Sequence, residues 1–276
     1  MSSSRSPAGG SSSRRTLGGL AAVALTGLAL GSCGAAPSEV STPLGSQPAA
    51  ATASIRGPRP RPTTTTAPPS AGPVLEVGDS LGIDLGWGLA DELTGIKHRL
   101  IAAAVGDTGL AEPSYYDWPA QLAVELRLYH PATVVVFLGA NDVEGFYTTD
   151  RFLPFGSPGW AALYGKRVAQ MMDEATSTGA KVLWVGMPPM ESQSFSSDMA
   201  TLNAVYRTEA IAHRPDVSYL ASWRLLGGPH GQYRESQTGV DDEVALRAPD
   251  GVHITRAGGD LLAKAVIARL KRFGWL

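Results

Sequence analysis

The sequence predicts a three-layer α/β/α domain of flavodoxin-like type built on a five-stranded parallel sheet. Two observations carry this. Five short β-branched runs alternate with five longer amphipathic stretches from Pro73 onward, the pattern of strands joined by crossover helices. The chain of 276 residues, 43% of them hydrophobic, is also long enough to bury one substantial core.

The strands are expected at Val74–Val77, Leu100–Val105, Thr133–Leu138, Lys181–Gly186 and Val217–Ala221. Between them the apolar positions recur at helical spacing near Leu81–Leu93, Trp118–Tyr129, Gly159–Thr178 and Asp198–His213, with a last helix near Thr255–Phe273. Strand order is not legible at this stage, and no internal repeat is evident. The catalytic domain is therefore expected over residues 73–276.

The N-terminal part reads differently. Arg14 and Arg15 precede an apolar run from Leu17 to Leu30, too short to span a bilayer comfortably but suited to the core of an export signal. Leu30-Gly31-Ser32-Cys33 is similar to a bacterial lipobox, so residues 1–33 are expected to be an export signal whose Cys33 takes a lipid anchor, and the paired arginines resemble a twin-arginine signal. Cell envelope or membrane attachment follows, with a cytoplasmic enzyme as the alternative if the signal does not act. Residues 34–72, rich in Pro, Ser, Thr and Ala and including Pro58-Arg59-Pro60-Arg61-Pro62, lack the apolar periodicity to offset ordering and are expected to be a disordered spacer.

Composition excludes several partners. The formal net charge is -2, with 23 basic against 25 acidic residues, so no electrostatic footprint for nucleic acid stands out. The single cysteine allows neither an internal disulfide nor a cysteine-rich metal site. No metal and no cofactor is expected. Gly86-Trp87-Gly88 lacks the third glycine of a dinucleotide fingerprint, Gly159 to Lys166 has the wrong spacing and the wrong following residue for a phosphate loop, and no Gly-x-Ser-x-Gly elbow is present. Asp241-Asp242-Glu243 reads as an exposed acidic run.

In parallel sheets the chemistry gathers where strands exit at their carboxyl ends. The first three exits carry Gly78-Asp79-Ser80, Gly106-Asp107-Thr108 and Gly139-Ala140-Asn141-Asp142, and the last helix is preceded by Asp250-Gly251-Val252-His253. A serine hydroxyl becomes nucleophilic only when a base takes its proton and a carboxylate orients that base. Of the five histidines only His253 has a carboxylate three residues earlier, so Ser80, His253 and Asp250 are the expected triad; His98, His130, His213 and His230 lack that arrangement. Acyl transfer also needs donors for an oxyanion. The Ser80 amide at a helix start, the Gly106 amide and the Asn141 side chain are the candidates. Asp107 and Asp142 are read as caps or loop ties and left outside the catalytic set.

These four segments resemble, in order, the first, second, third and fifth sequence blocks of the SGNH/GDSL hydrolase superfamily, with the likeness running from Val74 to Leu276. Gly106-Asp107-Thr108 and Asp250-Gly251-Val252-His253 are most similar to stretches of bacterial periplasmic thioesterase and lysophospholipase enzymes. The resemblance implies a serine nucleophile at Ser80, a base at His253, its orienter at Asp250, and an oxyanion hole of Ser80, Gly106 and Asn141. Ile254 departs from the proline or leucine many members carry there. The expected activity is hydrolysis of a lipid- or sugar-linked ester through an acyl-Ser80 intermediate. One alternative is transfer of an acyl group from acyl-CoA to a sugar hydroxyl, as in octanoyl transfer to a glucosylglycerate; another is a carbohydrate-binding lipoprotein without turnover. Tyr115, Tyr116, Trp118, Phe146 and Tyr147 follow the second and third strands and are expected to line the substrate groove or to pack the loops.

Overall fold

The computed structural model describes residues 72–239 and 242–276. The expected signal, Cys33 and almost all of the spacer lie outside the described residues. Within them the central sheet comprises β1 (Val74–Gly78), β2 (Leu100–Ala102), β3 (Thr133–Phe137), β6 (Lys181–Val185) and β7 (Val217–Leu220), all parallel in the order β2-β1-β3-β6-β7. All five residues of β1 and of β3 are buried, as strands covered on both faces must be.

The covering helices are α1 (Ser80–Gly95), α2 (Trp118–Tyr129), α3 (Pro158–Ser177), α4 (Gln193–Ala212) and α6 (Arg256–Phe273). Each begins at a side-chain cap: Asp79, Asp117, Ser157, Ser192 and Thr255 accept from the first turns. The face of α1 is set by Leu81, Leu85, Leu89 and Leu93, one per turn and fully buried. Each contributes about 2 kcal/mol of apolar burial. The segment from Gly159 to Lys166 lies within α3 and forms no loop.

The structure adds elements that strand-and-helix alternation did not predict. Two short hairpins, β4–β5 (Phe146–Tyr147, Phe152–Leu153) and β8–β9 (Ser236–Thr238, Glu243–Ala245), and a one-turn helix α5 (Trp223–Leu226) lie in the connections after β3 and β7. The regular part of the second strand is shorter than expected, ending at Ala102, although the amides of Ala103 and Val105 still donate to the Glu76 and Gly78 carbonyls of β1 at 2.8 Å. Among the described residues no helix is long and apolar enough to cross a membrane.

The pairing of α1 with α6 fixes the site. A Cβ on Gly88 would stand 2.7 Å from the Gly259 carbonyl oxygen, and one on Gly259 would stand 2.5 Å from that of Asp84. Two glycines thus let the helix backbones touch. This brings the turn before α6 alongside the start of α1.

Candidate active site

Ser80 is the first residue of α1, directly after its cap, so its amide has no partner within the helix and faces the same edge as its hydroxyl. Its Oγ lies 2.9 Å from His253 Nε2, and His253 Nδ1 lies 2.7 Å from Asp250 Oδ2. The three residues expected to act together are in hydrogen-bond contact across 173 positions of sequence.

The Asp250–His253 turn is built from its own sequence. The other Asp250 oxygen accepts from the amides of Val252 at 2.8 Å and His253 at 2.9 Å. Gly251 takes φ +72°, where a side chain would be strained and would also run into Glu191. Burial alone would push Asp250 up, but the Val252 amide, the His253 ring and the His253 amide together hold its carboxyl down at about 2. It is a permanent anion beside Nδ1. That leaves Nε2 as the atom able to take the Ser80 proton.

Two residues absent from the sequence reading hold this turn. Asp84, one turn along α1 from Ser80, accepts from the Ile254 amide at 3.1 Å. A proline at 254 would have no N–H to give, so the departure at Ile254 is used here. Arg247, almost fully buried, donates to the carbonyls of Pro189 and, at 2.7 Å, of Val252. Aspartates in helices and arginines before turns carry no motif, which is why neither is visible without coordinates.

The oxyanion side is stitched differently. Asp79, fully buried, accepts from Leu81, Gly139 and Ala140, tying the β1 exit to the β3 exit. Burial raises its pKa to about 6 against the pull of those amides. Asp142 accepts from the Ala111 amide at 2.7 Å and from the Tyr164 hydroxyl at 2.6 Å, and Tyr206 links Tyr164 to the Leu138 carbonyl. Asp142 is thus a loop tie, as read from sequence, while Asp107 is exposed in the left-handed region at φ 59°. Asn141 Nδ2 donates to Thr108 O at 2.9 Å, which joins the second and third exits and leaves its other amide hydrogen available. In front of Gly106 the nearest atom to an added Cβ is 3.9 Å away, so a ligand can approach its backbone.

The aromatic expectations divide. Trp118 is fully buried with its Nε1 bonded to Thr108 Oγ1 at 3.0 Å, and Phe146 is buried against Trp160, Tyr164 and the Arg167 guanidinium. Both are packing residues and cannot form a substrate wall. Tyr116 is half-buried against Trp118, whereas Tyr115 and Tyr147 are exposed. A cleft of about 530 Å³ instead opens at the exits of β6 and β7, bordered by Glu191, Trp223 and Tyr233. The larger cavity, about 610 Å³, lies beside the start of β7, away from the edge that carries Ser80. Among the described residues no cluster of His, Cys, Asp and Glu could hold a metal ion.

A parallel sheet in this order, with a serine at the first exit and an Asp-x-x-His turn before the last helix, is the arrangement that the resemblance to the SGNH/GDSL hydrolases implies. The chain belongs to the family described as a protein of unknown function, DUF459, whose sequence profile matches residues 73–269. No curated protein sequence matches it. Solved structures are similar in fold. A GDSL-like lipase from Bacteroides thetaiotaomicron superposes with a TM-score of 0.54 at 15% identity, over 73% of this chain and 89% of that one. An α/β hydrolase enzyme from the metagenome of Lake Arreo gives 0.53 at 17%, over 71% and 94%. A psychrotrophic esterase from Pseudoalteromonas gives 0.50 at 15%, over 73% and 98%.

Proposed function

We propose that this chain hydrolyses carboxylic esters through an acyl intermediate on Ser80. The observation that carries the reading is the relay from Ser80 Oγ to His253 Nε2 at 2.9 Å and from Nδ1 to Asp250 at 2.7 Å. In this mechanism His253 takes the Ser80 proton as Oγ attacks the ester carbonyl, and the oxyanion falls toward the amides of Ser80 and Gly106 and the Asn141 side chain. His253 then passes the proton to the leaving alcohol. A water molecule, deprotonated by the same nitrogen, releases the acid. No residue of a cofactor or metal site is needed in these steps.

Hydrolysis is supported over transfer to a second alcohol by the openness of the edge: the His253 and Asp250 side chains are 39% and 50% exposed, so solvent water stands beside the base. A binding lipoprotein without turnover would have no use for the hydrogen-bonded relay. We further place the enzyme at the cell envelope, on the sequence of residues 1–33 alone. Membrane fractionation checks it: Cys33→Ala should release the protein or block its processing, and recovery of wild type wholly from the cytosol counts against it.

The similar Pseudoalteromonas esterase was solved inhibited by monoethylphosphonate, which supports a phosphonate as the probe. A fluorophosphonate should label the wild type at Ser80, and Ser80→Ala should lose both the label and p-nitrophenyl acetate turnover. A label on another serine, or an active Ser80→Ala, overturns the reading.

A further inference from the structure

We infer that the cleft at the exits of β6 and β7 binds a sugar unit of the alcohol half of the ester, so that the substrate is an acylated oligosaccharide; this rests on the ester-hydrolase reading above. The first argument is position. The cleft's rim residue Glu191 donates its amide to the Gly251 carbonyl at 3.0 Å, inside the turn that carries His253. Arg247 binds the backbone on both sides of that junction, at Pro189 and Val252, and its guanidinium stacks on the Tyr233 ring at 4.9 Å. The cleft and the base are therefore one rigid piece.

The second argument is the direction of proton transfer. When the ester C–O bond breaks, the alcohol oxygen takes from His253 the proton that came from Ser80, so the alcohol lies on the His253 side of the nucleophile. The cleft borders that side. The sheet order puts β6 two strand spacings from β1, about 10 Å, so an alcohol reaching from Ser80 into the cleft is longer than one ring.

The third argument is chemistry. Trp223 and Tyr233 offer flat rings, and Trp223 is held in place by its Nε1 bond to Gly231 O at 2.7 Å. Around them stand Gln193, Ser197, His230 and Gln232, short groups that donate and accept. Among the described residues no lysine or arginine lines the cleft, which disfavours phosphate-bearing alcohols and thiols, and the lining carboxylate, Glu191, repels anions. Flat rings with neutral polar groups match the apolar faces and hydroxyl edges of a sugar. The volume of about 530 Å³ falls within the range of small-ligand clefts.

The test compares esters that share an acyl group and differ in alcohol: acetylated cellotriose and acetylated xylotriose against methyl 6-O-acetylglucoside and p-nitrophenyl acetate. One of the trisaccharide esters should exceed the glucoside in kcat/KM by about tenfold or more. In the double variant Gln193→Ala/His230→Ala, whose side chains are exposed and carry no core packing, the ratio of kcat/KM for that ester over p-nitrophenyl acetate should fall by about tenfold; Trp223→Phe should lower it less. Equal kcat/KM for trisaccharide and glucoside esters, or a ratio unchanged in the double variant, overturns the cleft assignment alone. A wild type that turns over none of the esters and takes no fluorophosphonate overturns both readings.

Discussion

The two sides of the catalytic edge are held by carboxylates in opposite states. On the oxyanion side Asp79 and Asp142 are fully buried, and burial drives both upward, Asp79 to about 6. On the base side Asp250 is half exposed and held down at about 2 by donors from its own turn. The buried pair fastens separate loops to one another, while Asp250 fastens only Val252 and His253 of its own turn. Loss of a buried tie should therefore appear first as instability, and loss of Asp250 as lost rate.

The largest effects belong to the base side. His253→Ala should lower kcat by about 10⁴-fold or more, and Asp250→Asn by up to about 10⁴-fold, with thermal midpoints close to wild type. Steady-state kinetics beside a melting curve checks both. A cooperative loss of fold in Asp250→Asn would erase the contrast. Next comes Asn141→Ala, expected to cost about 10²–10³ in kcat with little change in KM, since its free amide hydrogen serves the transition state. A rise in KM at unchanged kcat would instead assign Asn141 to ground-state binding.

The same contrast explains what the sequence discloses. The five sheet strands and five main helices are legible because their periodicities are long and regular, and Ser80, Asp250 and His253 because their chemistry restricts residue type and spacing. Asp84, Arg247, Tyr164 and Tyr206 are not legible. Each acts by meeting a partner far along the chain, as Tyr206 meets Leu138 and Asp84 meets Ile254, and no local pattern marks such pairs. Whether the exit aromatics line a groove or pack the loops stays open in the sequence for a related reason: ring content near an exit does not say which way a ring points, and Trp118 and Phe146 turn inward. The rings that line the cleft, Trp223 and Tyr233, lie in a connection whose short helix and hairpin have too few residues for a periodic signal.

On the oxyanion side the expected currency is stability. Asp142→Ala leaves the buried Ala111 amide without its partner and removes one of the two bonds of the Tyr164 hydroxyl, and should cost about 3 kcal/mol in denaturant unfolding. Tyr164→Phe removes the hydroxyl bonded to both Asp142 and Tyr206 while Asp142 keeps the Ala111 amide, and should cost about 1–2 kcal/mol. If Asp142→Ala unfolds at the wild-type midpoint and loses only rate, the division between the two sides is wrong.

The subtlest test is Glu76, on β1 beneath α1, a fully buried acid with the Ala104 amide as the sole donor near its carboxyl among the described residues, too poorly placed to make a regular hydrogen bond. Burial, reinforced by nearby Asp79, pushes its pKa well above the usual 4.5. Its folded form holds the proton more tightly than the unfolded chain does, so this group favours folding below about pH 4.5 and the advantage is lost as pH rises from there toward the folded pKa. Asp79 acts in the same direction between 3.8 and about 6. Asp250 acts oppositely, but its contribution is already complete above its usual 3.8 and does not change in this window. Wild-type stability should therefore fall as pH rises above about 4.5, with a slope of at most about 1.4 kcal/mol per pH unit for each proton. Glu76→Gln keeps the shape and removes the proton, so its unfolding free energy should fall less steeply, matching or trailing wild type near pH 4.5 and gaining on it toward pH 8. Parallel curves for the two proteins would mean that Glu76 does not titrate with folding.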